Sequence, residues 1–207
     1  MMLQLIGVAR SPFVWKLRVI LVEKGLAYTL VDEYPSATND AIIKYNPLGK
    51  IPVLLTETQQ VLCESKFIAQ YLTSFTGGIN LVPTEMNQVI EAQQVEVVAD
   101  GICDAMIAII YEQRRDEKLQ CADAVQLQFE KILRGVSFLN TQIDAKSWMV
   151  GDHFSIADIA SVTAYTWLKS RYEDYAWQAE FTSLDAHASK ILVRESMQVT
   201  HPFLANS

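Results

Sequence analysis

Histidine and cysteine are scarce in this chain, with three of each in 207 residues. Cys63, Cys103 and Cys121 form no CxxC pair and have no histidine beside them at ligand spacing. A disulfide framework and a zinc site are therefore excluded as organising features, and the cysteines read as small buried hydrophobes in a reducing compartment. His153, His187 and His201 are too scattered to build a metal centre. Long apolar runs are missing as well: the longest, Ala105 to Tyr111, is too short to cross a membrane and lies inside a helical pattern. No basic region precedes Leu3-Gln4-Leu5-Ile6-Gly7-Val8, so a secretory signal is not expected and a cytoplasmic location is. Positive charge is also in deficit, the formal net charge being −7. Up to Gly78 seven Lys and Arg face six Asp and Glu; beyond it ten face eighteen. With no basic stripe, nucleic acid is not an expected partner, and the near-neutral first part is the better host for an anionic ligand.

Half of the residues are apolar and a fifth charged, the balance of a soluble protein large enough for one big domain or two small ones. Leu3 to Val8 fits a buried strand. Ser11 and Pro12 then make a helix start, and Val14, Leu17, Ile20 and Leu21 recur at helical spacing until Gly25. Ala27 to Val31 completes a βαβ unit, for which parallel pairing is expected. A loop carrying Pro35, Ser36, Thr38 and Asn39 leads to a short helix near Asp40 to Tyr45. A strand from Pro52, a turn over Thr56 to Gln60, a strand at Val61-Leu62 and a helix from Glu64 to Leu72 follow. The order βαβ-α-ββα is that of a thioredoxin-like domain over residues 1–78.

Residues 79–86, with Pro83, read as a linker. After it nothing resembles a strand: Val89 to Ile110 and Val125 to Leu139 mark two long helices, and Leu184 to Val199 supports one or two more. Residues 87–207 are thus expected to form an all-helical domain, giving an α/β plus all-α fold class. Within it, Phe154-Ser155-Ile156-Ala157-Asp158-Ile159 fits a capping box, with Ser155 and Asp158 exchanging bonds and Phe154 stapling to Ile159. Its expected role is in folding, worth about 1 kcal/mol at the cap.

The most informative stretch is Asn46-Pro47-Leu48-Gly49-Lys50-Ile51-Pro52-Val53-Leu54 with Leu62-Cys63-Glu64-Ser65 after it. A proline at the mouth of a strand is one of the few places where a cis peptide is cheap. A cis Ile51-Pro52 bond would turn the Ile51 amide and carbonyl outward to receive an extended peptide. Glu64-Ser65 opens a helix, whose free amides and positive dipole end suit a carboxylate. Both features suit a small anionic peptide.

These motifs, with Ser11-Pro12-Phe13, Ile68, Tyr71-Leu72 and the capping box at Ser155 to Asp158, together resemble a cytosolic glutathione S-transferase of the serine type, similar to bacterial, tau or theta classes. The resemblance spans essentially the whole chain. It implies that Ser11 is the catalytic hydroxyl, donating to the glutathione sulfur, and that Ile51 pairs with the cysteinyl backbone. Glu64 and Ser65 would bind the γ-glutamyl end, and Lys50 would lie near the glycyl carboxylate, since the loop at 35–39 offers no basic residue. Arg10, beside Ser11, is either a helper or solvated surface. Phe13, Tyr111 and Trp167 are candidates for a second-substrate pocket, against the alternative that they are core.

The implied function is conjugation of the glutathione thiol to hydrophobic electrophiles in detoxification, with glutathione as co-substrate, no metal, and a homodimer built on the Glu64 and Val89–Arg115 helices. Two other readings remain beside it: an interaction or regulatory protein that keeps the fold without catalysis, and a glutathione-dependent peroxidase. Classes with a cysteine before Pro-Phe run mixed-disulfide chemistry; Ser11 at that place makes reductase activity unexpected.

Overall fold

The structure, a computed structural model, describes residues 2–35 and 40–203; the expected loop positions 36–39 lie outside them. The chain divides into two units, Met1–Leu81 with Val193–Ser207, and Val82–Leu192.

In the first unit β1 (Leu3–Ile6), α1 (Pro12–Glu23) and β2 (Tyr28–Val31) form the expected βαβ element, followed by α2 (Asp40–Ile43), β3 (Val53–Leu55), β4 (Val61–Cys63) and α3 (Ser65–Thr73). The sheet order is β2-β1-β3-β4. The β1–β2 pair is parallel, with Leu3 opposite Tyr28, because a helical crossover separates the two strands. The β1–β3 and β3–β4 pairs are antiparallel. Thr56 N–H donates to the Gln60 carbonyl at 2.9 Å, closing the tight turn between β3 and β4. All three residues of β3 are buried, as is most of α1, where Val14, Trp15, Leu17, Val19, Ile20 and Leu21 have no exposed surface. Pro12 occupies the first helical position, where its missing N–H costs nothing, and Gly25 ends the helix in a left-handed conformation (φ 65°).

The second unit contains α4 (Met86–Gln113), α5 (Ala122–Ile143), α6 (Ile156–Lys169), α7 (Trp177–Glu180) and α8 (Thr182–Leu192), with a short 3-10 turn at Glu117–Leu119. Twelve of the fourteen residues of α6 are buried, making it the centre of this unit. Gly135 lets α5 approach α4 closely: a Cβ there would lie 2.7 Å from Ile102 Cγ1. Among the described residues no helix is long and apolar enough to cross a membrane.

The last helix, α9 (Glu195–Thr200), returns to the first unit. Sequence periodicity assigns it to the helical domain of residues 87–207. The division differs because α9 packs on α1, where the Arg194 guanidinium forks onto Glu23 at 2.9 and 3.0 Å.

Candidate functional site

The register of the sheet brings the candidate residues of the first unit to one end. Ile6, at the end of β1, faces Val53 at the start of β3, and Val53 faces Cys63 at the end of β4. Consequently the loop toward Ser11, the Ile51-Pro52 step and the Glu64-Ser65 step all leave the same edge. Gly7 closes this junction with φ 148°: a Cβ on it would meet Val14 Cγ2 at 2.6 Å and Ile51 Cβ at 3.2 Å, so α1 and Ile51 sit together only over a glycine.

Ile51-Pro52 is cis. The Ile51 N–H and carbonyl have no hydrogen-bond partner among the described residues, so both are open to an extended ligand. Ser11 is half-buried at the N-cap of α1. Its Oγ accepts the Val14 N–H at a long 3.4 Å, and its hydroxyl hydrogen has no acceptor among the described residues. One oxygen thus caps a helix while keeping its own proton to give away.

Glu64 has φ 75° and ψ 115°, a conformation rare for a residue with a side chain and worth about 1–3 kcal/mol of strain. Its carboxylate makes no cap bond with the helix it precedes and stands exposed. Ser65 is buried, yet its hydroxyl has no partner among the described residues. The start of α3 therefore holds an acid and a hydroxyl beside unspent helix amides, able to bind a group carrying both an ammonium and a carboxylate. Lys50 is exposed in the turn before Ile51.

Asn46 opens the stretch singled out in the sequence but has no role assigned there, although it sets this turn. Its Nδ2 donates to the Lys50 carbonyl at 2.9 Å and its Oδ1 accepts the Leu48 N–H at 3.1 Å. The Asn-Pro step was the available signal, because an asparagine side chain that bonds its own backbone is a common turn device.

Cys63 adjoins this end of the sheet. Burial, and then the neighbouring Glu64 carboxylate, push its thiol above the ordinary range, while its Sγ lies 3.6 Å from the Tyr45 carbonyl as a donor. Its thiolate is therefore sparse at neutral pH and grows only in alkali. Iodoacetamide at pH 7 is expected to modify the exposed Cys121 first and Cys63 several-fold more slowly than free cysteine. Peptide mass spectrometry over time checks this; equal rates for Cys63 and free cysteine would contradict it.

The three candidates for the second substrate are placed separately. Phe13 is half-buried in the first turn of α1. In the second unit Tyr111 is exposed near the end of α4, with Arg114 over its ring at 5.9 Å. Trp167 is 3% exposed in α6, flanked by Arg171 at 5.4 Å, and its indole Nε1 is buried without a hydrogen-bond partner. A recess of about 630 Å³ on the same unit is lined by Lys169, Glu173, Tyr175 and Trp177, and neither Tyr111 nor Trp167 borders it.

The capping box forms. Ser155 N–H donates to Asp158 Oδ2 at 2.9 Å, and Ala157 N–H to Ser155 Oγ at 3.3 Å. Two further neighbours were not legible: Met149 N–H donates to Asp158 Oδ1 at 2.9 Å, and His187 Nε2 lies 3.0 Å from the same oxygen without hydrogen-bond geometry. Nothing local in the sequence couples positions 149 and 187 to 158. Among the described residues no group of three or more His, Cys, Asp or Glu side chains could hold a metal ion.

Comparison with known proteins finds two family models in sequence order, the N-terminal domain of glutathione S-transferase over residues 10–74 and its C-terminal domain over residues 122–188. The uncharacterised GST-like protein YibF of Escherichia coli K12 is 30% identical over 200 residues, covering 97% of this chain and 98% of that protein. A glutathione S-transferase from Methylobacterium radiotolerans, solved in complex with glutathione sulfonate, superposes with a TM-score of 0.92 at 32% identity, covering 100% of this chain and 98% of that one. A glutathione transferase family member from Pseudomonas fluorescens with bound glutathione gives 0.90 at 31% identity, covering 98% and 100%.

Proposed function

The chain belongs to the glutathione S-transferase family, and from that premise we propose that it conjugates the thiol of glutathione to hydrophobic electrophiles. The observation that carries this reading is the set of unspent groups at one end of the sheet: the Ser11 hydroxyl hydrogen, the Ile51 main chain and the start of α3 at Glu64-Ser65. In this reading Ile51 pairs through its main chain with the cysteinyl residue of glutathione. The Glu64 carboxylate meets the γ-glutamyl ammonium, and the Ser65 hydroxyl with the α3 amides meets its carboxylate. Lys50 offers a cation for the glycyl carboxylate.

A free thiol of pKa about 8.5 is only a few per cent ionised at neutral pH. The Ser11 hydroxyl donates to the sulfur and favours the thiolate, helped by the positive end of α1. The thiol proton passes to solvent, the sulfur lone pair forms the S–C bond, and a leaving group such as chloride departs with its bonding electrons. Phe13, Tyr111 and Trp167 are assigned to the second substrate.

Calorimetry with glutathione and a conjugation assay with 1-chloro-2,4-dinitrobenzene test the reading together. Absence of binding at millimolar glutathione would overturn it in favour of a non-enzymatic interaction protein; binding with turnover of an organic peroxide alone would favour a peroxidase.

We assign the protein to the cytoplasm, in detoxification, as a homodimer. Exposed apolar residues support the dimer: Phe67 on α3, and Met86, Ile90 and Val97 at helical spacing along α4. Sedimentation is expected to show twice the 23.3 kDa chain mass. Ile90→Glu should shift it to the monomer, and a wild-type chain that is monomeric at micromolar concentration would contradict the assignment.

A further inference from the structure

One face of α1, opposite in role to its Ser11 end, is spent on α9. Trp15 is fully buried, and its indole Nε1 donates to Thr200 Oγ1 at 3.0 Å. The Thr200 hydroxyl passes its own hydrogen on to the Ser196 carbonyl at 2.6 Å, so its direction is fixed and its lone pair is committed to Trp15. One turn along, Arg18 Nη1 donates to the Thr200 carbonyl at 2.9 Å while Arg18 Nε donates to the Tyr28 hydroxyl at 3.2 Å. At the far end Glu23 receives the Arg194 fork and the Ser196 hydroxyl. The ring of His201 stands edge-on to Trp15 with centroids 5.1 Å apart, and burial holds its pKa below the ordinary value, which keeps the ring neutral beside the indole.

Trp15 is also the residue whose backbone N–H closes the first helical bond onto the Ser11 carbonyl, at 2.8 Å. Its side chain and main chain therefore tie opposite sides of the same turn: the indole to α9, the amide to Ser11. We infer that Thr200 is a positioning residue for the thiol chemistry, acting through Trp15 to hold the first turn of α1, and with it the Ser11 hydroxyl, at a fixed distance from the sulfur. This rests on the reading of Ser11 as the sulfur's donor.

A hydrogen bond to a thiolate weakens steeply when donor distance or angle drifts, so loss of the Thr200 acceptor should appear in the pKa of bound glutathione before it appears in affinity. The test measures that pKa by ultraviolet titration of the thiolate in the full-length protein, with kcat and KM determined in parallel. Thr200→Val, nearly isosteric, is expected to raise the thiol pKa by about half a unit or more and to lower kcat about threefold at neutral pH, with KM for glutathione little changed. Thr200→Ser, which keeps the acceptor, should restore the wild-type pKa. Trp15→Phe, which deletes the donor, should reproduce the Thr200→Val shift. Arg194→Gln loosens the far end of the same contact and should lower stability with no shift in thiol pKa. A wild-type thiol pKa in Thr200→Val beside a raised one in Ser11→Ala would overturn the positioning role alone, as would equal shifts in Thr200→Val and Arg194→Gln. A wild-type thiol pKa in Ser11→Ala would overturn the reading of Ser11 itself, and the positioning role with it.

Discussion

Ser11→Ala is expected to cost about ten- to a hundredfold in kcat/KM for conjugation, the equivalent of one hydrogen bond to a charged group at about 1.5–3 kcal/mol. The direction follows from the sulfur's protonation. Without the hydroxyl, the bound thiol moves back toward its ordinary pKa and the reactive fraction falls at neutral pH; raising the pH ionises the thiol directly and should recover much of the lost rate. The loss should sit mainly in kcat, because the substitution leaves Ile51, Glu64 and Ser65, the groups proposed to hold glutathione, untouched. A competing effect is known in sign. The same substitution removes the 3.4 Å cap on Val14 and costs up to about 2 kcal/mol of stability, but so long a bond places the cost at the lower end of that range. Measuring the thermal midpoint alongside the pH–rate profile separates the two. A variant with full activity at pH 7 would remove Ser11 from the chemistry.

The second large effect concerns stability and not turnover. Asp158 is fully buried and accepts three hydrogen bonds through its two oxygens, from the Ser155 N–H and hydroxyl on one and the Met149 N–H on the other; His187 Nε2 lies 3.0 Å from the latter without hydrogen-bond geometry. Asp158→Ala strands two buried amides and the Ser155 hydroxyl together. Each unsatisfied amide costs about 1–3 kcal/mol, so the variant should lose about 3–5 kcal/mol, a large share of the roughly 5–15 kcal/mol that holds a folded domain. Ser155→Ala, which removes the cap oxygen and one of the donors to Asp158 but strands no charge, should lose about 1 kcal/mol. Asp158→Asn keeps one acceptor oxygen and should fall between. Urea titration followed by far-ultraviolet circular dichroism decides it; an Asp158→Ala midpoint within about 1 kcal/mol of wild type would mean that water replaces the carboxylate at little cost.

Much of this was legible in the sequence, for reasons that differ from element to element. The proline at the mouth of β3, the Ser11-Pro12 helix start and the Ser155 to Asp158 box are local devices whose chemistry fits within a few residues, and all three form. The long helices announced themselves by apolar spacing. What stayed hidden was either non-local or conformational. No periodicity tells that His187 and Met149 converge on Asp158, or that α9 turns back to α1. The positive φ of Glu64 was equally unreadable, because nothing about a glutamate marks it for a conformation that favours glycine. For the second substrate the expectation was three aromatics; Tyr111 stands exposed and Trp167 buried, and apolar spacing could not separate those outcomes.

The return of α9 to the first unit also has a consequence in time. Trp15 and its acceptor Thr200 are 185 positions apart. At the usual pace of protein synthesis that separation is about ten to forty seconds of translation. Once α1 has left the ribosome its Trp15 indole has no Thr200 to bond until α9 is made, and the unit that carries Ser11 cannot be completed from its own contiguous stretch. A nascent chain halted before Val193 should therefore present a first turn of α1 without its Thr200 anchor, and gain that anchor only when α9 is delivered.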